Sequence, residues 1–143
     1  MGLSSSYVEI LYRAIKRSCP PEYVTFNLNG EPEISSALFK DENGVSVSKQ
    51  MQRTEEDVIS HLKNKLSTNA GRTRLKGAVK LSENDVIKAG AIVVDTPDSS
   101  DRFHAEIHKN SNEKLLSNLQ MLQLADCCQL CYWNNHMEST CNN

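Results

Sequence analysis

The sequence predicts an α+β domain, a mixed or antiparallel sheet with about three helices packed on one side. Three observations carry this. Short β-type runs recur along the chain, the clearest being the strict alternation Val45-Ser46-Val47-Ser48. Other segments show helical apolar spacing behind a Ser or Thr that can cap. Helices and strands are interspersed without regular alternation.

The elements follow in order. Tyr7 to Ile15 mixes β-formers with helix-neutral residues and is expected as a strand that Pro20 and Pro21 end. Asn27, Asn29, Gly30 and Pro32 mark turns within 22–33, and Ile34 to Phe39 is expected as a short strand. Asp41-Glu42-Asn43-Gly44 turns into the strand Val45 to Ser48. Thr54 with Asp57 approximates a capping box, followed by Val58, Ile59, Leu62 and Leu66 on one helix face. Asn69-Ala70-Gly71 stops that helix, and Ala78 to Leu81 is a strand. Ser82 with Asp85 opens a second helix, and Gly90 stands where a left-handed residue closes one. Ala91 to Val94 and Phe103 to Ile107 are strands around the loop from Thr96 to Ser100. Ser111 is expected to cap a last helix running through Leu115, Leu116, Leu119, Leu122 and Ala125 toward Cys131, its Leu115, Leu119 and Leu122 stripe packing on its own sheet by default or else on a partner.

Composition bounds the rest. The 143 residues suit one domain, expected over 1–131 with a polar tail at 132–143. With 38% apolar content, a net charge of -2, 6 Gly and 4 Pro, the chain is neither intrinsically disordered nor collagen-like. No apolar run approaches the roughly 20 residues of a membrane-crossing helix, so no membrane partner is expected. The opening Met-Gly-Leu-Ser-Ser-Ser lacks a basic segment followed by an apolar one, and four of the five cysteines crowd into the last 17 residues rather than spreading as a disulfide framework would. Both features predict a cytoplasmic protein.

Cys128, Cys131, His136 and Cys141 have the spacing C-x2-C-x4-H-x4-C. It resembles the CCHC zinc knuckle of nucleic-acid-binding proteins, with Tyr132 and Trp133 as base-stacking surface. Zinc is the one cofactor this suggests; otherwise none is expected. The knuckle usually has glycines where this chain has Tyr132 to Asn135. The alternative is that the cysteines are small apolar residues at a helix end. His104, Glu106 and His108 fall on one face of a strand, as metal ligands or an acid/base set, or as a solvated face opposite Phe103, Ala105 and Ile107. From 63 to 88 the chain carries Lys63, Lys65, Arg72, Arg74, Lys76, Lys80 and Lys88 against Glu83 and Asp85, a stripe able to meet phosphates or simply to solubilise. No aromatic residue interleaves with it. Arg13, Ser35, Ser36 and Glu106 occur in the order in which ADP-ribosyltransferase-like folds present an Arg, a Ser strand and a catalytic Glu. There is no nucleophile elbow and no glycine-rich phosphate loop.

Leu11-Tyr12-Arg13-Ala14, Ser35 to Lys40 (SSALFK), Gly44-Val45-Ser46-Val47 and His104-Ala105-Glu106-Ile107 resemble segments of a group of small bacterial proteins of unassigned function. There an LYR-A start precedes SSA-FK, GLSV and HA-I segments. The match covers most of residues 10 to 130, with Val45 where the pattern prefers Leu. The resemblance implies a one-domain protein from a small bacterial gene cluster, and draws attention to Arg13, Ser35, Ser36, Lys40, Ser46 and His104. The function expected is a small non-catalytic binding or partner subunit, acting with a larger protein of a bacterial conflict or regulatory operon. The alternatives are a nucleic-acid-binding protein using the C-terminal zinc site, and a small enzyme, ADP-ribosyltransferase-like or metal-dependent, built around Arg13, Ser36, His104 and Glu106.

Overall fold

In a computed structural model of the chain, residues 7–17, 22–68 and 70–135 are described. Among them are strands β1 (Ile10–Lys16), β2 (Val24–Phe26), β3 (Pro32–Ile34), β4 (Val45–Lys49), β5 (Leu75–Ser82), β6 (Ile92–Asp95), β7 (His104–His108) and β8 (Gln129–Trp133). The helices are α1 (Glu55–Lys65), α2 (Glu83–Lys88) and α3 (Asn118–Cys127), with a 3-10 helix over Ser36–Phe39. Six strands form one antiparallel sheet in the order β6-β7-β4-β1-β5-β8, and β2 and β3 form a hairpin. The result is the expected single α+β domain with three helices. No helix among the described residues is long and apolar enough to cross a membrane.

Strand alternation divides the core in two. Leu11 and Ile15 of β1 face one cluster with Val45, Val47, Val79, Ile107 and Leu124. Tyr12 faces the other, with Val58, Ile59, Leu62, Leu75 and Ala78. The helices divide accordingly. Val86 of α2 and Met121 and Leu124 of α3 lie in the first cluster, as the expectation of helices on one side requires. Helix α1 covers the opposite face.

The cap residues behave as their spacing implies. Thr54 accepts from the Asp57 N–H, Ser82 and Asp85 form a complete capping box, and Gly90 takes a left-handed φ of +79°.

Three expected segments differ. The stretch 22–33, expected as turns, holds β2 and most of β3, which pair across the Asn27–Gly30 turn. Ile34 to Phe39 is not a strand. The Ser35 hydroxyl accepts from the Ala37 N–H, and this local bond draws Ser36–Phe39 into a 3-10 turn. The last helix starts at Asn118, not after Ser111. Asn110 accepts from the N–H groups of Asn112 and Glu113 and holds that stretch as a turn, while Ser117 and Gln120 supply the complete box. The helix also stops at Cys127. Cys128 is extended, and Gln129–Trp133 pairs with the free edge of β5, where Tyr132 and Trp133 suit a pleated surface. The sheet thus continues two residues past 131. The later start also sets the helix phase. Leu116, Met121 and Leu124 are buried, and Leu115, Leu119 and Leu122, expected in the core, are 38%, 64% and 58% exposed.

Candidate functional site

Strands β1 and β4 pair at only two positions, Leu11 with Lys49 and Tyr12 with Ser48. The register would next join Arg13 to Val47 and Ala14 to Ser46, and neither pair forms. Along β1, backbone groups point alternately to the two neighbouring strands. The Ile10 carbonyl accepts from Gln50 on the β4 side, whereas the Arg17 N–H donates to Arg74 on the β5 side. Ala14 and Lys16, in phase with Ile10, therefore direct their backbone groups toward β4, which has moved away. Along β4, the Lys49 N–H donates to Phe103 on the β7 side, so Ser46, out of phase with it, faces β1.

Arg13 holds this opening. Its Nη1 donates to the Ser46 carbonyl at 3.1 Å and its Nε to the Leu38 carbonyl at 3.2 Å. The second acceptor exists because the 3-10 turn ends there and leaves a carbonyl unused by the helix. Burial pushes the guanidinium pKa down, with the nearby Asp41 carboxylate working against that shift.

The splayed strands leave a cleft of about 530 Å³, lined from both sides of the sheet. On one side stand Tyr23, Leu38, Lys40 and Asp41; on the other stand Leu62 and Lys65 of α1 and the capping Leu66, with Asp101 and His104. Ala14, Lys16 and Ser46 line it between them.

The wall beneath α1 is fixed by the loop before β7. Asp101, whose side chain is fully buried, accepts from Lys65 Nζ at 2.9 Å and from the Phe103 N–H at 2.9 Å. Burial alone would raise its pKa; the bonds from Lys65 and Phe103 outweigh that and hold it below its usual range. His61 Nε2 is 3.4 Å from the same carboxylate but makes no hydrogen bond. Asp98 turns the loop, its Oδ1 accepting from the N–H groups of Ser100 and Asp101 at 2.8 Å. His104 Nδ1 lies 2.7 Å from Thr96 Oγ1 and 3.1 Å from the Thr96 carbonyl. The two contacts fix the ring against Thr96, with Nδ1 donating to the carbonyl or accepting from the hydroxyl according to the tautomer.

Of the residues singled out in the sequence, Arg13, Lys40, Ser46 and His104 meet at the cleft. Ser35 and Ser36 do not line it: Ser35 caps the 3-10 turn and Ser36 begins it. Glu106 is also outside, its carboxylate 2.8 Å from His108 Nε2. Arg13, Ser36 and Glu106 therefore do not gather around the cleft as an ADP-ribosyltransferase-like set. Among the described residues no three His, Cys, Asp or Glu side chains are placed to hold a metal ion. Cys128 packs on the Leu11 face and Cys131 on the Tyr12 face, so they do not form the tight turn of a knuckle. Desolvation pushes both thiols up to about 12. His136 and Cys141 lie outside the described residues.

Much of the basic stripe is engaged within the chain. Lys63 lies over the Tyr132 ring, Lys76 over the Trp133 ring, Lys65 bonds Asp101 and Lys80 bonds Glu55. Aromatic residues thus do interleave with the stripe, but only through the β5–β8 pairing, and they occupy its lysines.

Sequence reasoning named Lys65 only within the basic stripe and missed Ala14, Lys16 and Asp101. The Asp98-x-x-Asp101 spacing, able to turn a loop on its own side chains, was the available signal for the last of these. Comparison with protein-family models, with curated proteins and with solved structures finds no match to the chain.

Proposed function

We propose that this protein is a non-catalytic partner subunit, and that its cleft takes an extended segment of another protein between β1 and β4. One observation carries the reading: the ladder is open where Ala14 and Ser46 should pair, beside a cleft of about 530 Å³. Unpaired strand edges bind extended peptides through the backbone, and side chains of alternate residues then fill pockets on the two faces. Here one face offers Leu62 and Leu66, the other Tyr23 and Lys40. From Ala14 to Lys16 the opening spans about 7 Å, the length of three consecutive strand residues. Catalysis has less support. The Ser48 hydroxyl accepts from Arg53, and His104 is tied to Thr96.

The test is an amide-resolved NMR titration of the protein with a degenerate library of acetylated, amidated hexapeptides. Shifts should concentrate on the amides of Ala14, Lys16 and Ser46, and Ala14→Leu, which fills the opening, should remove them. Shifts that leave these three amides untouched would rule the reading out.

A further inference from the structure

Resting on that reading, we infer that the segment received by the cleft is acidic and directs a carboxylate at Lys16 and Lys40. The argument is a charge account of the lining. Its three carboxylates are already engaged. Asp101 is held by Lys65 and the Phe103 N–H. Asp98 accepts from the N–H groups of Ser100 and Asp101. Asp41 accepts from the Asn43 N–H and lies near the Arg13 guanidinium.

The basic groups are unevenly used. Lys65 is committed to Asp101, and Arg13 to two carbonyls. Lys16 and Lys40 also line the cleft, are exposed, and their ammonium groups take no hydrogen bond or ion pair among the described residues. The lining thus carries four cations, Arg13, Lys16, Lys40 and Lys65, against three carboxylates, and its uncommitted charged groups are the two ammonium ions of Lys16 and Lys40.

Backbone pairing gives a strand slot affinity without choosing its sequence, whereas complementary charge selects among extended segments. A neutral segment would leave both ammonium groups unanswered. A basic one would add repulsion.

Three hexapeptide sub-libraries, with both central positions fixed as Glu, Gln or Lys, decide the matter by titration with amide NMR readout. The Glu set should bind about fivefold more tightly than the Gln set, the scale of one or two half-exposed charge pairs, and the Lys set should be weakest. The double variant Lys16→Gln, Lys40→Gln changes two exposed side chains. It should abolish the preference for Glu, bringing the ratio of Glu-set to Gln-set affinity to one. Equal binding of the Glu and Gln sets, with both shifting the Ala14 amide, would overturn the acidic preference and leave the strand slot standing. No shift at Ala14 or Ser46 from any set would overturn both. Free succinate displacing the Glu set at equal concentration would also overturn the inference, by making the ligand a small dianion.

Discussion

The guanidinium of Arg13 donates to the Ser46 carbonyl at 3.1 Å, at the point where β1 and β4 stop pairing. A side chain stands in for a ladder bond. The strands stay apart, the carbonyls of Ser46 and Leu38 are satisfied, and the space between the strands becomes the cleft.

Arg13→Met keeps most of the side-chain length and loses both donors. It should destabilise the fold by about 2 kcal/mol in urea unfolding, since two partly buried carbonyls lose their partner. It should also let Ala14 and Ser46 move, visible as altered amide exchange at both. A loss below about 0.5 kcal/mol with unchanged exchange would mean that arginine does not hold the opening.

Asp101→Asn should change the response to acid. The folded carboxyl titrates below its unfolded value of about 3.9. Its pairing therefore contributes fully above that value and is lost as pH falls through the folded pKa. Wild-type stability should drop below about pH 4 more steeply than the variant's, and at pH 7 the variant should be weaker by about 3 kcal/mol, because Lys65 loses its charge partner. Parallel stability curves across this range would refute the assignment.

Gly44→Ala should cost about 2 kcal/mol. Gly44 has φ +95°, and an added Cβ would lie 2.8 Å from His108 Nε2 and 2.9 Å from Glu106 Oε1. Adding His108→Ala should recover the crowding part of the loss and leave the backbone part. Full additivity in a double-mutant cycle would show that the two positions do not touch.

Leu119→Glu and Leu122→Glu should each alter stability by less than about 0.5 kcal/mol, because both side chains face solvent. Leu124→Ala, on the buried face of the same helix, should cost about 3 kcal/mol. Comparable losses at all three positions, measured by thermal unfolding, would place the leucine stripe in the core after all.

What could be read from the residues depended on how local its cause was. The caps at Thr54 and Ser82, the closing Gly90 and the alternation of β4 and β7 arise from bonds and steric preferences within a few residues. Two of the misjudged segments were also settled locally, but by competing side chains. Ser35 overrode the strand pattern, and Asn110 took the Glu113 N–H that a cap at Ser111 could have served. For the site, residue type drew attention to Arg13, Lys40, Ser46 and His104, and no local pattern linked them to Lys65 or Asp101.

By itself, then, the sequence determined an α+β domain, most of its caps and strands, and the polar residues worth attention, because those follow from short-range periodicity and bonding. Only the tertiary structure decided that β1 and β4 part after two pairs, that α1 covers the face opposite α2 and α3, and that Gln129–Trp133 closes the sheet edge. Each of these is a contact between residues far apart in the chain. Their free energy comes from burying surface that no local pattern specifies. The cleft is what remains where such burial is incomplete.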